Sequence, residues 1–99
     1  MLIRWETRSY NSRRYGRPWI ARVTFEGAKP QYSWGDYIGD ENGGILEVEA
    51  SEGDVIASGQ RDHRKGDPNI YYYIVETGGK LREVTKAEAY KHWKELTTI

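Results

Sequence analysis

Short segments of alternating residue type constrain the fold of this 99-residue chain more than any other feature of its sequence. Segments 2–10 and 19–25 place an apolar, aromatic or β-branched residue at every second position, a pattern typical of half-buried β-strands. Five further segments are predicted strands: 32–38, 45–50, 54–60, 70–76 and 81–84. Because the turns between them are rich in glycine, asparagine and aspartate, most of the chain is predicted to be β-structure.

Four of these segments carry more specific predictions. Residues 51–53 are a short polar, glycine-containing stretch, so segments 45–50 and 54–60 are predicted to form a hairpin. Gly35 and Asp36 predict a bulge or bend within segment 32–38. Segment 70–76 has large residues on both of its faces, which indicates a central strand covered on both sides.

The C-terminal segment is predicted to be a helix. Thr85 and Glu88 have the spacing of a capping box, and Ala89, Trp93 and Leu96 lie on one helical face with Tyr90 beside them. The predicted fold class is therefore α+β. We expect a mostly antiparallel curved sheet, or a small β-barrel of five to seven strands, with one C-terminal helix over about residues 85–97.

Length and composition limit what this fold can contain. A chain of 11.5 kDa favours one compact domain over residues 1–99. The absence of cysteine excludes disulfides, thiolate catalysis, and cysteine-ligated zinc or iron–sulfur centres. No apolar run approaches the ~20 residues that cross a bilayer, and no signal-peptide core is evident. We therefore expect a cytoplasmic protein without a membrane partner.

Charge is unevenly distributed although the formal net charge is zero. Residues 1–22 carry six arginines against one glutamate, whereas residues 23–56 carry one lysine against eight acids. Either basic and acidic strands lie side by side and neutralise each other, or the arginines form an anion-binding face. The same complementarity could join two copies of the chain, so a homo-oligomer stays open.

The first candidate binding segment is residues 12–19. Guanidinium groups can hold phosphate and an aromatic ring can stack on a base. The predicted ligand-binding residues of this segment are Arg13, Arg14, Tyr15, Arg17 and Trp19. The alternative is a polar turn in which Trp19 merely begins the core face of the next strand.

The second candidate binding segment is residues 59–66, which collects several bases between two glycines. Such loops can hold an anion through backbone N–H groups and side chains. Its predicted ligand-binding residues are Gln60, Arg61, His63 and Arg64, and the alternative is an ordinary polar loop. Asp62 beside His63 suggests acid–base chemistry. Neighbours on an extended chain point apart, however, so no catalytic residue is assigned.

Trp34 belongs to an acidic aromatic segment, residues 32–37, that could lie in the core or at an interface. We include Trp34 among the ligand-binding residues as a stacking surface. The positions of His63 and His92 do not support a metal site, and no cofactor-binding motif is present, so neither a metal nor a cofactor is expected. An enzyme is the less favoured class.

Four stretches carry a resemblance to other proteins: SRRYGRPWIA at 12–21, WGDYIG at 34–39, GDVIASGQRD at 53–62 and KAEAY at 86–90. In these stretches the chain resembles a group of small uncharacterised proteins encoded by bacteria and their phages. The resemblance implies no activity that transfers to this chain. It implies a short cytoplasmic protein of a mobile element, a class that includes inhibitors of host defence.

Three functional hypotheses follow. The first is a non-enzymatic protein that binds a phosphate-bearing ligand, either a nucleotide or a short nucleic-acid segment. The neutral net charge disfavours long duplex DNA, and the hypothesis requires segments 12–19 and 59–66 to converge. The second is an inhibitor or adaptor of the anti-defence type that acts by protein contact. The third is a small hydrolase or nuclease that uses His63 with Asp54 or Asp67.

Overall fold

The protein consists of two antiparallel β-sheets and one helix in a computed structural model that describes residues 1–66 and 69–97. The strands are β1 (Leu2–Thr7), β2 (Trp19–Glu26), β3 (Lys29–Trp34), β4 (Asp36–Asp40), β5 (Gly43–Glu49), β6 (Val55–Gln60), β7 (Asn69–Val75) and β8 (Leu81–Val84), followed by α1 (Lys86–Thr97). One sheet has the order β1-β5-β4 and the other β3-β2-β6-β7-β8. The predicted α+β class is confirmed, with two open sheets rather than a barrel.

The two sheets pack face to face because alternate residues of their strands are apolar. The core between them contains Ile3, Ile20, Leu46, Val48, Ala50, Ile56 and Val75. Leu46 and Ile56 are almost completely buried. Burial of this apolar surface is the main force that holds the smaller sheet on the larger one.

Helix α1 covers part of the opposite face of the larger sheet. Thr85 caps the helix, since its Oγ1 accepts a 3.1 Å hydrogen bond from the backbone N–H of Glu88. Phe25 lies edge-on to Tyr90, with ring centroids 5.2 Å apart, and also contacts Trp93. Leu96, predicted to share this apolar stripe, instead remains 58% exposed. With 12 residues, α1 is too short to cross a bilayer, and no other helix of the described residues could do so.

Strand β7 confirms the prediction of a central strand. It lies between β6 and β8 in the larger sheet. Tyr72 and Ile74 face the helix, whereas Val75 belongs to the core between the sheets and Tyr73 packs against that core. Both faces of the strand are therefore covered.

The predicted hairpin of segments 45–50 and 54–60 is wrong. Strand β5 pairs with β1 and β4, whereas β6 pairs with β2 and β7 in the other sheet. The turn between β5 and β6 crosses from one sheet to the other, and Gly53 N–H donates to Val75 O at 2.7 Å. The crossing places the two strands on opposite sides of one core, which Leu46 and Val48 of β5 and Ile56 of β6 fill from the two sheets.

Segment 32–38 is two strands rather than one, which raises the strand number to eight. The chain leaves the larger sheet after Trp34 and enters the smaller sheet at Asp36, so the predicted bend is a change of sheet. Gly35 makes this possible because a Cβ there would collide with the carbonyl oxygen of Glu47 and lie 2.9 Å from Val48 Cβ. No other residue type fits that crossing without displacement.

Candidate functional site

Segments 12–19 and 59–66 meet in the structure, and we refer to them together as the paired loops. Gly16 N–H donates to Arg61 O and His63 N–H donates to Arg14 O, both at 2.7 Å. The side chain of Gln60 adds a third link, since its Nε2 donates to Gly16 O at 3.0 Å. Two regions more than 40 residues apart in sequence thus form one continuous surface.

Asp62 anchors the paired loops from within. Its residue exposure is only 8%, and its Oδ1 accepts a 3.0 Å hydrogen bond from Arg64 N–H. Its Oδ2 lies 3.6 Å from Nε of Arg14, and that buried Nε has no hydrogen-bond partner in the structure. Asp62 therefore organises the loop and balances Arg14, rather than orienting His63.

A cleft opens between the two sheets beside the paired loops, and we call it the main cleft. Its volume is about 490 Å³, within the ~300–1,000 Å³ usual for small-ligand sites. Trp5 and Thr7 of β1 form one wall, and Ser58 and Gln60 of β6 form another. Thr7, Ser58 and Gln60 are polar, unlike the apolar residues deeper between the sheets, so the sandwich is open to solvent here.

The lining of the main cleft combines cations with aromatic rings. Arg8, Arg14 and Lys65 contribute positive charge, whereas Glu6 and Asp62 contribute negative charge. The aromatic lining residues are Trp5, Tyr10, Tyr15 and Tyr71. Such a lining can contact a ligand that carries both a negatively charged group and a planar ring.

The structure divides the sequence-predicted ligand-binding residues into three groups. Arg14, Tyr15 and Gln60 line the main cleft. Arg13, Arg61, His63 and Arg64 are exposed on the paired loops but do not line it. Arg17, Trp19 and Trp34 line a second cleft of about 270 Å³.

The aromatic residues of the second cleft are arranged around Trp34, which is 63% exposed. Trp19 lies edge-on to it at 4.9 Å, and Tyr32 stacks on it with ring centroids 5.3 Å apart. Trp19 itself lies against β6, where a Cβ at Gly59 would approach its Cζ2 to 2.6 Å. Trp19 therefore both packs against the sheet and lines this cleft.

The arginines of the paired loops are largely unneutralised. Pairing of β1 with β5 brings Arg4 to within 3.7 Å of Glu47, as expected if basic and acidic strands neutralise each other. Within residues 1–66 and 69–97, however, the side chains of Arg8, Arg13, Arg61, Arg64 and Lys65 have no carboxylate partner within 4 Å. Arg17 instead lies over the ring of Tyr37, 5.3 Å from its centroid.

Sequence reasoning did not identify several lining residues of the main cleft. Trp5 and Tyr71 lie on strands whose alternation indicates packing, and Trp5 does lie edge-on to Tyr73 of the core at 6.3 Å. Arg8 follows a strand, and its place beside Lys65 depends on how the sheets pack. Only the exposure of Tyr71, at 48%, distinguishes it from a core residue, and exposure is not readable from the sequence.

Of the two residue pairs proposed for a hydrolase, His63 with Asp54 and His63 with Asp67, the first is too far apart in the structure. Asp54 precedes β6 and its Oδ2 accepts a 2.7 Å hydrogen bond from Ser51 N–H, whereas His63 follows the other end of β6. A strand of six residues separates them by about 20 Å, so they cannot act together. Asp67 lies outside the described residues.

Residues 1–66 and 69–97 contain no group of three or more histidine, aspartate or glutamate side chains suited to a metal ion. Comparisons with protein-family models, curated proteins and solved structures found no match to this chain. The residues and their geometry are therefore the basis for a functional proposal.

Proposed function

We propose that this protein is a non-enzymatic binding protein that holds a phosphate-bearing ligand, either a nucleotide or a short nucleic-acid segment, in the main cleft. One observation carries the proposal: residues 12–19 and 59–66 converge through direct backbone hydrogen bonds. The convergence places Arg14, Tyr15, Gln60 and Lys65 together at a cleft with aromatic walls. The proposal also includes a cytoplasmic location and a mobile-element origin, both of which are expectations from the sequence.

The chemistry of the lining residues supports an anionic ligand. Arg8 and Lys65 line the cleft and have no carboxylate partner in the part of the chain that the structure describes. Hydrogen bonds from such groups to phosphate are stronger than bonds between neutral groups. Arg14 faces the Asp62 carboxylate at 3.6 Å through its Nε, and its terminal NH2 groups can contact the ligand.

The test compares cytidine monophosphate with cytidine, which differ only in the phosphate. We expect the monophosphate to bind more tightly in a titration followed by tryptophan fluorescence, because Trp5 lines the cleft. Replacing Arg8→Gln together with Lys65→Gln removes two charged contacts. Each charged contact contributes about 1.5–3 kcal/mol to the binding free energy. The affinity for the monophosphate is therefore expected to fall about 100-fold or more.

The matched control is Lys86→Gln together with Lys91→Gln, which removes the same charge from exposed positions on α1. This control is expected to bind normally. Equal affinity for cytidine and its monophosphate, or an equal loss in both double variants, would contradict the proposal. Native mass spectrometry of the freshly purified protein would identify a co-purifying ligand and determine the oligomeric state.

A second candidate function is the anti-defence type of inhibition by protein contact. Trp34 and Ile38 are 63% and 56% exposed, on two edge strands that follow one another in sequence. Exposed large apolar residues on edge strands are common anchors of protein interfaces. If Trp34→Ala abolishes inhibition of a purified target while the Arg8 and Lys65 variants inhibit normally, this function is favoured over ligand binding.

A further inference from the structure

We infer that the ligand is a single-stranded oligonucleotide that extends from the main cleft across Pro18 into the second cleft. The inference rests on the proposed function and specifies its ligand class. Pro18 and Leu46 line both clefts, so the clefts adjoin at the chain near Pro18. A mononucleotide of one base and one phosphate would occupy one cleft and leave the other empty.

The second cleft offers a surface for a base, and Arg17 lines it as well, where it can contact the adjoining phosphate. Trp34 is held by Trp19 and Tyr32 and yet is 63% exposed, so its ring is available for stacking without reorganisation. Asp36 also lines the cleft, and its carboxylate would repel a phosphate. A carboxylate accepts a hydrogen bond from the exocyclic amino group of cytosine, which thymine lacks.

The order of residues along segment 12–19 fits a strand of alternating phosphates and bases. Arg14 and Tyr15 line the main cleft, Arg17 and Trp19 line the second cleft, and exposed Arg13 precedes them. Tyr15 and Trp19 are four residues apart, which is at most about 14 Å of extended chain. At about 3.4 Å per stacked nucleotide, this distance accommodates up to about four nucleotides.

Duplex nucleic acid does not fit this arrangement. A paired base is stacked on both faces within its helix, so it cannot stack on Trp34 without unpairing. Acidic residues also lie close to the cations, namely Glu6 and Asp62 in the main cleft and Asp36 in the second. Such mixed charge gives a weaker field than the continuous basic surfaces that bind duplexes.

The experiment measures the affinities of cytidine monophosphate, dC4, dC8, dT4 and a double-stranded hairpin that is closed by a non-nucleotide linker and matches dC8 in phosphate number. We expect dC4 to bind at least about 30-fold more tightly than the monophosphate, dC8 to gain little further, and dT4 to bind more weakly than dC4. Trp34→Ala should weaken dC4 binding about tenfold or more, and the monophosphate much less. Trp34→Phe should restore most of the affinity because it keeps a stacking surface.

The control variant is Ile38→Ala, which removes a neighbouring exposed apolar side chain that lines neither cleft. It should bind dC4 normally. If the monophosphate binds as tightly as dC4, if the hairpin binds as tightly as dC4, or if Trp34→Ala has no effect on dC4, the inference is overturned while the proposed function stands. If no phosphate-bearing probe binds, the proposed function itself fails.

Discussion

At the scale of single residues, Gly35 decides whether the two sheets can be joined. The chain passes from β3 to β4 through a position where a Cβ would collide with Glu47 and approach Val48 and Ile20 to 2.9 Å. Gly59 has a comparable role at the site, because it leaves room for the indole of Trp19. Both glycines are required by close approach of other groups and not by turn geometry.

We predict that Gly35→Ala lowers the free energy of unfolding by about 3 kcal/mol or more, because the core around the new methyl group must move. Urea denaturation followed by circular dichroism measures the change. Gly16→Ala is the matched control, since its Cβ would have ordinary contacts, 3.4 Å from Arg61 Cβ. The control should change stability by less than about 1 kcal/mol. Equal stability of the two variants would show that the crossing tolerates a side chain.

At the scale of elements, β7 places two tyrosines in different environments on its two faces. Burial, and then the hydrogen bond of 2.9 Å between the Tyr72 and Tyr32 hydroxyls, raise the pKa of Tyr72 well above its usual value. The pKa of Tyr73 is also raised, first by burial and then by the charges of Glu83 and Tyr71. Both tyrosines therefore keep their protons at pH values where an unfolded tyrosine loses them.

Because the pKa of Tyr72 is higher in the folded protein than in the unfolded chain, we predict a loss of stability at alkaline pH. An unfolded tyrosine has a pKa of about 10, so the contribution of Tyr72 is constant below pH 10 and is lost as the pH rises further. For one tyrosine, the free energy of unfolding falls by at most about 1.4 kcal/mol per pH unit. Urea denaturation of Tyr72→Phe between pH 8 and 11 should show a shallower decline than the wild type. An unchanged slope in Tyr72→Phe would disprove the assignment.

At the scale of the whole molecule, two apolar cores share the same central strands. Strands β2, β6 and β7 contribute residues both to the core between the sheets and to the core under α1. Disruption of one core therefore loosens the strands on which the other is built. This sharing predicts that residues 1–99 unfold as one cooperative domain.

We predict that Leu46→Ala, which truncates a side chain with 1% exposure, lowers stability by about 2–5 kcal/mol. The loss should shift the tryptophan fluorescence transition and the helical circular dichroism signal at 222 nm to the same lower urea concentration. Leu96→Ala makes the same chemical change at an exposed position and should alter stability by about 0.5 kcal/mol or less. A helical signal that stays at its wild-type midpoint in Leu46→Ala would indicate two independent units.

Local features were readable from the sequence because residues a few positions apart determine them. Alternation predicted β1 and β2, large residues on both faces predicted β7, the spacing of Thr85 and Glu88 predicted the start of α1, and Gly35 with Asp36 predicted a bend. The hairpin of segments 45–50 and 54–60 was wrong because a short turn allows two outcomes. The strands can pair, or they can enter different sheets, and only the burial of residues far away in sequence decides between them.

In the candidate site, too, the local features could be predicted from the sequence and the long-range contacts could not. Local composition identified two arginine-rich segments, one of them with aromatic residues, and it identified Arg14, Tyr15 and Gln60 individually. Their convergence depends on Gly16, Gln60 and His63 donating hydrogen bonds between the loops, and on β2 and β6 being neighbours. Contacts of this kind join residues more than 40 positions apart, and nothing in the local pattern encodes them. The sequence by itself therefore determined the strands, the helix and the chemistry of the loops, whereas the tertiary structure alone decided which strands share a sheet and that the two loops meet beside a cleft.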